Sequence, residues 1–285
     1  MSFIFLYGSP GSGKTTLAAS MTNLGLKVEF IDIDGKVDKM ANLKPLVTKG
    51  LIKAITLKSP LVEGTLRQRV TLLRSTTSKR TLVKMPQGFL EFCDIIDNYE
   101  KDASAGHKRK GWVLAVDSLT RLQEHMKRFL LFVEDKNKFT FDQWDIWKTN
   151  LEELIARLQG LDGYFDHVIV TAHEQAEYSE DGAIIAYRPM IDGSMKYKTG
   201  SYFEEMYYTY IKNVPGSPPR FMVRTVSDGK REARTSRNLT VDAPADFAEL
   251  FSTSKGGSHA KTTSKPGTTR VAEAAEATET AVESQ

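Results

Sequence analysis

The sequence predicts an α/β fold, in which a doubly wound, mainly parallel sheet carries an antiparallel hairpin at one edge. Strand-length apolar runs alternate with helical patterns through residue 173, which is the usual signature of such a sheet. The run at 112–118 is apolar until it ends in an acid, as is typical of a central strand buried on both faces. After residue 173, short strand patterns follow one another without long helices between them, which predicts the antiparallel edge.

Each element is predicted from its own pattern. Apolar or alternating runs predict parallel strands at 3–7, 28–33, 51–57, 112–118 and 167–171. Helices are predicted to begin at residue 16 and at Pro86, and to span 119–133 and 141–160. Edge strands are predicted at 207–211, 221–226 and 232–236, and Asp228-Gly229 predicts a tight turn between the last two. The sequence leaves open whether the basic segment 58–85 is ordered.

Composition predicts one globular domain followed by a tail. The chain has 285 residues, of which 40% are hydrophobic and 26% are charged, as in ordinary globular domains. We expect residues 1–252 to form this domain. Residues 253–285 contain no aromatic residue, leucine or isoleucine, so we expect them to be a disordered, low-complexity tail.

The net charge and the single cysteine exclude few classes of protein. The net charge of +3 permits nucleic-acid binding but does not argue for it. Cys93 is the only cysteine, which excludes an internal disulfide. No apolar stretch approaches the length of a membrane span, and the apolar N-terminal run is too short for a signal peptide. We therefore expect a cytoplasmic protein without a membrane partner.

Residues 8–15 read Gly-Ser-Pro-Gly-Ser-Gly-Lys-Thr and match the phosphate-binding loop G-x-x-x-x-G-K-[ST] at every fixed position. A strand precedes the loop and a helix start follows it, which makes a chance match in a Gly/Ser turn a poor alternative. Backbone N–H groups and the helix N-terminus present positive partial charge to an anion. We expect Lys14 to reach the β- and γ-phosphates and Thr15 to hold Mg²⁺. The residues predicted to bind the nucleotide are Gly8, Ser9, Pro10, Gly11, Ser12, Gly13, Lys14, Thr15 and Thr16.

Hydrolysis of a nucleoside triphosphate also needs a metal ion, a group that positions water, and positive charge for the transition state. Asp117 is the candidate for Mg²⁺, because it ends a buried strand at the sheet edge where ligands bind. Its alternative role is a helix cap, which Ser118 can provide instead. Asp34 is the candidate for positioning water, and its alternative role is an Asp-Gly turn. Asp32 is a further candidate for the same role, and Glu124 and Glu174 are weaker candidates.

Two further groups of residues are candidates for signalling and for binding phosphate. His173 follows the strand at 167–171, where it can sense a γ-phosphate, unless it is an ordinary surface residue. Basic residues near the predicted hairpin, and others among the tyrosines of 174–200, suit contact with a neighbouring subunit's phosphates or with a nucleic acid. The alternative is a solvated edge protected by charge. These candidates are Arg224, Lys230, Arg231, Arg234, Arg237, Lys196 and Lys198.

Together these motifs resemble the RecA-type branch of the phosphate-loop ATPases. More narrowly, the chain resembles the phage-encoded nucleotide-binding proteins that include the RecA-like single-strand annealing proteins. The resemblance covers about residues 1–250. The motifs that carry it are GSPGSGKTT at 8–16, FIDIDGK at 30–36, WVLAVDSLTRL at 112–122, HVIVTAHE at 167–174, and RFMVRT and DGKREARTSR within 220–237.

The resemblance implies a RecA-like core in which the strand at 167–171 lies between the phosphate-loop strand and the strand at 112–117. This order brings His173 near the γ-phosphate. The resemblance also implies ATP and Mg²⁺ as cofactors, and a homo-oligomeric ring or filament with its sites between subunits. The chain departs from the pattern at two positions, with Asp34 where a glutamate is common and His173 where recombinases use an amide.

These features favour an ATP-hydrolysing protein that binds single-stranded DNA and promotes annealing or recombination in a phage. The tail is a candidate docking segment for a single-strand binding protein. Two alternatives remain open at this point. One is a small-molecule phosphotransferase such as a nucleotide kinase, and the other is a nucleotide-dependent switch or assembly ATPase without a DNA role.

Overall fold

The computed structural model describes residues 2–57, 87–134, 136 and 138–252. Its strands are β1 (Ser2–Gly8), β2 (Lys27–Asp32), β3 (Ile52–Thr56), β4 (Arg109–Asp117), β5 (Phe165–Tyr178), β6 (Ile184–Pro189), β7 (Glu205–Lys212), β8 (Arg220–Arg224) and β9 (Asp242–Pro244). Its α-helices are α1 (Lys14–Ala19), α2 (Lys44–Thr48), α3 (Gln87–Ser104), α4 (Leu119–Val133), α5 (Phe141–Gly160), α6 (Met195–Lys198) and α7 (Phe247–Ser252). The predictions for Pro86, for 58–85 and for the tail at 253–285 lie outside the described residues.

The strands form one sheet in the order β3-β2-β4-β5-β1-β7-β8-β9, and β6 pairs with the C-terminal part of β5. Strand β1 runs parallel to β5 on one side and to β7 on the other. Strands β2, β3 and β4 continue the parallel pairing. The α/β fold with a mainly parallel sheet is therefore confirmed, and β5 lies between β4 and β1, as the resemblance implies.

Both faces of the sheet are covered, which explains the continuous apolarity of its central strands. Strand β1 is buried at all seven positions. Helices α3, α4 and α5 pack on one face through an apolar cluster that includes Phe92, Met126 and Trp147. Helices α1 and α7 pack on the other face through a second cluster that includes Leu17 and Phe247. Each fully buried side chain of this size stabilises the fold by about 1.5–3 kcal/mol.

The two long helices α4 and α5 have the bounds that their apolar spacing predicts. Helix α5 also has a capping interaction at its start, since the Gln143 side chain accepts a hydrogen bond of 2.8 Å from the Thr140 N–H.

Across the described residues, no helix combines the length and the apolar character needed to cross a bilayer.

The antiparallel edge differs from the predicted hairpin. Strand β8 pairs with β7 on one side and with β9 on the other, so the predicted strand at 232–236 is wrong. The Asp228-Gly229 turn is present, and the Asp228 carboxylate accepts the backbone N–H groups of Lys230 and Arg231 at 3.0 and 2.7 Å. These side-chain bonds turn the chain away from β8, and it then makes isolated bridges to β6 and β7.

The carboxyl ends of β1, β2, β4 and β5 meet at one edge of the sheet, as they must in parallel neighbours. Register pairs Gly8 of β1 with His173 of β5, and Asp32 of β2 with Asp117 of β4. The phosphate loop at 8–15 therefore lies beside the predicted acidic residues and His173. Ligands of open α/β sheets bind at this edge.

Candidate nucleotide-binding site

The phosphate loop begins at Gly8, the last residue of β1, where there is no space for a side chain. A Cβ added at Gly8 would lie 2.2 Å from the backbone oxygen of Thr209, so strand β7 approaches too closely for any other residue. The Ser12 and Thr209 hydroxyls share a buried hydrogen bond of 2.6 Å that ties the loop to β7. Gly11 and Gly13 have φ values of 81° and 92°, which glycine adopts without strain. A Cβ at Gly11 would meet no atom within 4 Å, so the loop keeps open space at this point.

Lys14 lies folded over this loop. Its Nζ donates hydrogen bonds of 2.8 Å to the backbone oxygens of Gly8 and Ser9, and its side chain is buried. Burial lowers the pKa of Lys14 to about 8, although the negative charges of Asp117 and Glu174 oppose this shift. A buried amine beside an open loop fits a phosphate, because an anion there would favour the charged form of the amine.

Thr15 and Asp117 come together at the other side of the loop. The Thr15 hydroxyl donates to Asp117 Oδ2 at 2.6 Å, and the Thr171 hydroxyl donates to Asp117 Oδ1 at 2.5 Å. A hydroxyl and a carboxylate are suitable oxygen ligands for Mg²⁺. Within the described ranges, no group of three or more His, Cys, Asp or Glu residues is placed to hold a metal ion. The donor set therefore fits an ion that takes its remaining ligands from bound phosphate and water.

Asp34 lies among three cationic or ionisable side chains. Its oxygens are 3.1 Å from Lys36 Nζ, 3.4 Å from Arg121 Nε and 3.7 Å from His173 Nε2. Burial by itself raises the pKa of Asp34, but its interactions with His173 and Lys36 outweigh burial and lower the pKa to about 2. The carboxylate is therefore ionised under all physiological conditions and acts as a hydrogen-bond acceptor.

His173 contacts both Asp34 and helix α4. Its backbone N–H donates to the Thr120 hydroxyl at 2.9 Å, and its Nε2 faces Asp34. Its Nδ1 is buried and has no hydrogen-bond partner among the described residues. The structure thus brings His173, Asp34 and the phosphate loop to one place, while the role of His173 as a sensor stays a prediction.

The other acidic candidates differ in what they contact. Asp32 accepts the backbone N–H groups of Gly35 and Val37 at 2.8 Å each, which is a turn-stabilising arrangement. Glu124 pairs with Lys127 at 2.5 Å on the helix surface. Glu174 is different, because its Oε2 is buried and has no hydrogen-bond partner in the described part of the chain. Its negative charge also acts on Lys14, so Glu174 belongs to the site.

Two of the four candidate arginines interact with acids and aromatic rings of the same chain. Arg224 pairs with Asp242 at 3.0 Å and also contacts Asp228. Arg231 pairs with Asp228 at 2.9 Å, and its guanidinium lies 4.7 and 5.1 Å from the ring centres of Tyr187 and Tyr208. These contacts stabilise the edge of the sheet.

The other two arginines also contact groups of the same chain. Arg234 donates to the backbone oxygen of Gly200 at 2.6 Å. Arg237 donates to the Ser2 hydroxyl at 2.7 Å and stacks 4.0 Å from the ring centre of Phe251. All four arginines are therefore engaged within the chain. Among the candidate lysines, Lys196 pairs with Glu177 at 3.2 Å, whereas Lys198 and Lys230 are exposed.

Sequence reasoning missed several residues that shape the site. Thr171 orients Asp117, and Thr209 anchors the loop, although both look like ordinary strand residues in the sequence. Arg121 reaches Asp34 from helix α4. One signal was available for Thr171, which directly follows a buried apolar run and so lies at the carboxyl end of a predicted strand.

Comparison with known proteins defines the class of this protein. The family described as AAA domain matches residues 3–243, so the chain belongs to this family. With the phosphate loop and the parallel sheet, this membership defines a nucleotide-binding domain of the P-loop ATPase class.

One of the similar solved structures is the flagellar accessory protein FlaH from Methanocaldococcus jannaschii. It is 12% identical, the match covers 85% of this chain and 83% of that chain, and the TM-score is 0.40. A similarity at this level says nothing about function. A comparison with curated proteins finds no match.

Proposed function

We propose that this protein is a Mg²⁺-dependent ATPase with a RecA-like core. The observation that carries this proposal is the convergence of Lys14, Thr15 and Asp117 around one loop. A buried amine covers the loop, and a hydroxyl and a carboxylate meet 2.6 Å apart beside it. Bound Mg²⁺ and ATP would supply the phosphoryl group and neutralise its charge, while these three side chains hold and orient them.

Asp34 is our candidate for orienting the attacking water. A carboxylate with a pKa of about 2 is a weak base, but it remains a strong hydrogen-bond acceptor at neutral pH. Glu174 is a second carboxylate at the same edge, with one buried oxygen that lacks a partner in the described residues. The substitutions Asp34→Asn and Glu174→Gln distinguish them, because each removes one charge with little change in shape.

The test is phosphate release from ATP, measured with and without Mg²⁺. We expect Lys14→Ala and Asp117→Asn each to lower the rate by about 100-fold or more, as for other losses of a charge-stabilising group. Asp38→Asn is the matched control, because Asp38 is an exposed acid four residues from Asp34. Wild-type hydrolysis by Lys14→Ala would refute the proposed site.

We further propose that the ATPase binds single-stranded DNA and promotes annealing during phage recombination. The observation that favours DNA is the continuity of β5, which runs from His173 at the phosphate loop to Tyr178, a residue with 61% exposure. Tyr197 is 50% exposed and lies beside Lys196, whose Nζ is 4.8 Å from its ring centre. Exposed tyrosines with neighbouring cations suit base stacking and phosphate contact.

Two exposed lysines support DNA binding more strongly than the arginines do. Lys198 and Lys230 are exposed and make no ion pair within the described residues, so their charges are available to phosphates. The arginines of 224–237 already interact within the chain, and their use by DNA or by a neighbouring subunit would require those contacts to break. We also propose a homo-oligomeric ring or filament, and a tail that recruits a single-strand binding protein.

DNA binding is tested by fluorescence anisotropy with a labelled single-stranded oligonucleotide across a salt series. We expect Lys198→Ala and Lys230→Ala each to weaken binding and to reduce the salt slope by about one. Lys49→Ala is the control, since Lys49 is an exposed lysine just before β3, which is the edge strand at the far end of the sheet from β8 and β9. We also expect DNA to stimulate ATP hydrolysis.

Absence of salt-sensitive DNA binding and of stimulation would overturn the DNA role. The nucleotide-dependent switch or assembly ATPase, and the nucleotide kinase, would then take its place. Transfer of phosphate to a nucleoside monophosphate distinguishes the kinase from the switch. Light scattering coupled to gel filtration, with and without ATP, tests the proposed ring or filament.

A further inference from the structure

An apolar ledge lies beside the phosphate loop and consists of Ile211 on β7 and Phe221 on β8. These residues are direct partners across the two antiparallel strands, so their side chains lie on the same face of the sheet. Thr209 and Val223 form the next pair on that face. Because Thr209 bonds to Ser12 of the loop, the ledge begins where the loop touches the sheet.

Phe221 contacts the loop and yet stays half open to solvent. Its ring lies against Gly13, where an added Cβ would be 3.0 Å from Phe221 Cδ1. Phe221 nevertheless keeps 49% exposure, and Ile211 keeps 40%. An isolated exposed apolar residue needs no explanation, but here a phenyl ring and its apolar partner adjoin a ligand-binding loop.

The polar and apolar sides of the loop are separated by strand β1. Asp117, Asp34 and His173 lie on the side of β4 and β5, whereas the ledge lies on the side of β7 and β8. A nucleoside triphosphate has the same division, with a charged terminal phosphate at one end and a flat aromatic base, whose faces can stack on apolar side chains, at the other. The acidic side with its metal ligands suits the phosphate end, which directs the base toward the ledge.

We propose that Phe221, supported by Ile211, is the stacking platform for the base of the nucleotide. This inference rests on the proposed binding of ATP at the phosphate loop. Stacking gains strength with the area of the π-system, so the ledge favours purine over pyrimidine triphosphates. Phe221 is thus a specificity-determining residue that touches the base and not the reacting phosphates.

The experiment is calorimetric titration of the whole protein with Mg²⁺-ATP, Mg²⁺-UTP and inorganic tripolyphosphate. We expect Phe221→Ala to weaken ATP binding about tenfold, as for the loss of one base-stacking ring, and to leave tripolyphosphate binding unchanged. Phe221→Tyr should bind ATP like the wild type because it keeps the ring. Phe141→Ala is the control, since Phe141 is an exposed aromatic residue at the start of α5.

Two further measurements keep the proposal testable if Phe221→Ala does not fold. Phe221→Leu keeps apolar bulk without a π-system, and it should reduce the preference for ATP over UTP. The wild-type preference for ATP over UTP needs no variant at all, and equal affinity for the two would overturn the proposal.

The outcomes separate this inference from the proposed function. Equal weakening of ATP and tripolyphosphate by Phe221→Ala would mean that Phe221 acts through the shape of the loop, which overturns the platform. Unchanged ATP binding by a folded Phe221→Ala overturns it as well. Failure of the wild type to bind both ATP and tripolyphosphate would instead overturn the proposed nucleotide site.

Discussion

The buried amine of Lys14 leads to a prediction about how ATP binding depends on pH. Burial holds the pKa of Lys14 at about 8 in the nucleotide-free protein, below its ordinary value of 10.5. A triphosphate in the loop would favour the charged amine and return the pKa to about its ordinary value. Binding above pH 8 therefore requires the protein to take up a proton, so we expect ATP affinity to fall as the pH rises.

The magnitude follows from these two pKa values. At a pKa of about 8, Lys14 is mostly charged at pH 7.5 and about one-tenth charged at pH 9. Linkage then predicts that the Kd for ATP rises about eightfold between pH 7.5 and pH 9.

The contribution of Lys14 to folding stability increases with pH, whereas its contribution to ATP affinity decreases. Between pH 8 and 10.5 the unfolded chain binds more protons at this group than the folded chain does, so its contribution to stability increases with pH.

The assay is calorimetric titration with Mg²⁺-ATP at several pH values, in buffers that differ in ionisation enthalpy, so that proton uptake is measured directly. Lys14→Arg is the matched control, because a guanidinium stays charged throughout this range and should show no such pH dependence. Lys198→Ala should keep the wild-type profile. An equal Kd for the wild type at pH 7.5 and pH 9, with no proton uptake, would show that the protonation of Lys14 is not linked to ATP binding.

Three further predictions concern side chains around the loop and the core. Thr171→Val removes the donor to Asp117 Oδ1, so half-maximal hydrolysis should need about tenfold more Mg²⁺, and an unchanged Mg²⁺ requirement would contradict this. Glu29→Gln replaces a buried carboxylate that pairs with Lys53 and Arg109 by a neutral amide, and should lower the free energy of unfolding by about 2 kcal/mol in urea at pH 7. An unchanged free energy of unfolding would show that these ion pairs do not stabilise the fold. Gly8→Ala would place a Cβ 2.2 Å from Thr209 O, so calorimetry should detect no ATP binding, and wild-type affinity would show that β7 can move.

Much of the fold could be predicted because its signals are local. A buried parallel strand needs apolar residues at every position, and 112–116 shows this directly. The apolar spacing of 119–133 and 141–160 gave helix bounds that match α4 and α5. The phosphate loop is local as well, since its glycines, Lys14 and Thr15 lie within one turn and one helix start.

The wrong prediction at 232–236 has a physical reason. Asp-Gly is a strong turn signal, but a turn does not determine which strand the returning chain will pair with. The Asp228 carboxylate bonds to the two following N–H groups, and Arg231 then inserts between Tyr187 and Tyr208. The contacts of Arg231 with Tyr187 and Tyr208 join residues far apart in sequence, so no local pattern predicts them.

Local sequence patterns predicted the class of fold, the strand-loop-helix unit with its phosphate-loop motif, and the acids that end the buried strands. Each of these depends on neighbours within a few residues, because burial, turn geometry and helix capping act at short range. The groups that meet at the loop, in contrast, depend on how distant parts of the chain pack together. Register of β4 with β5 sets Thr171 against Asp117, strand order brings His173 near Asp34, and pairing of β7 with β8 sets Phe221 against Gly13. Such contacts depend on strand order and register, which are set by the packing of the whole sheet.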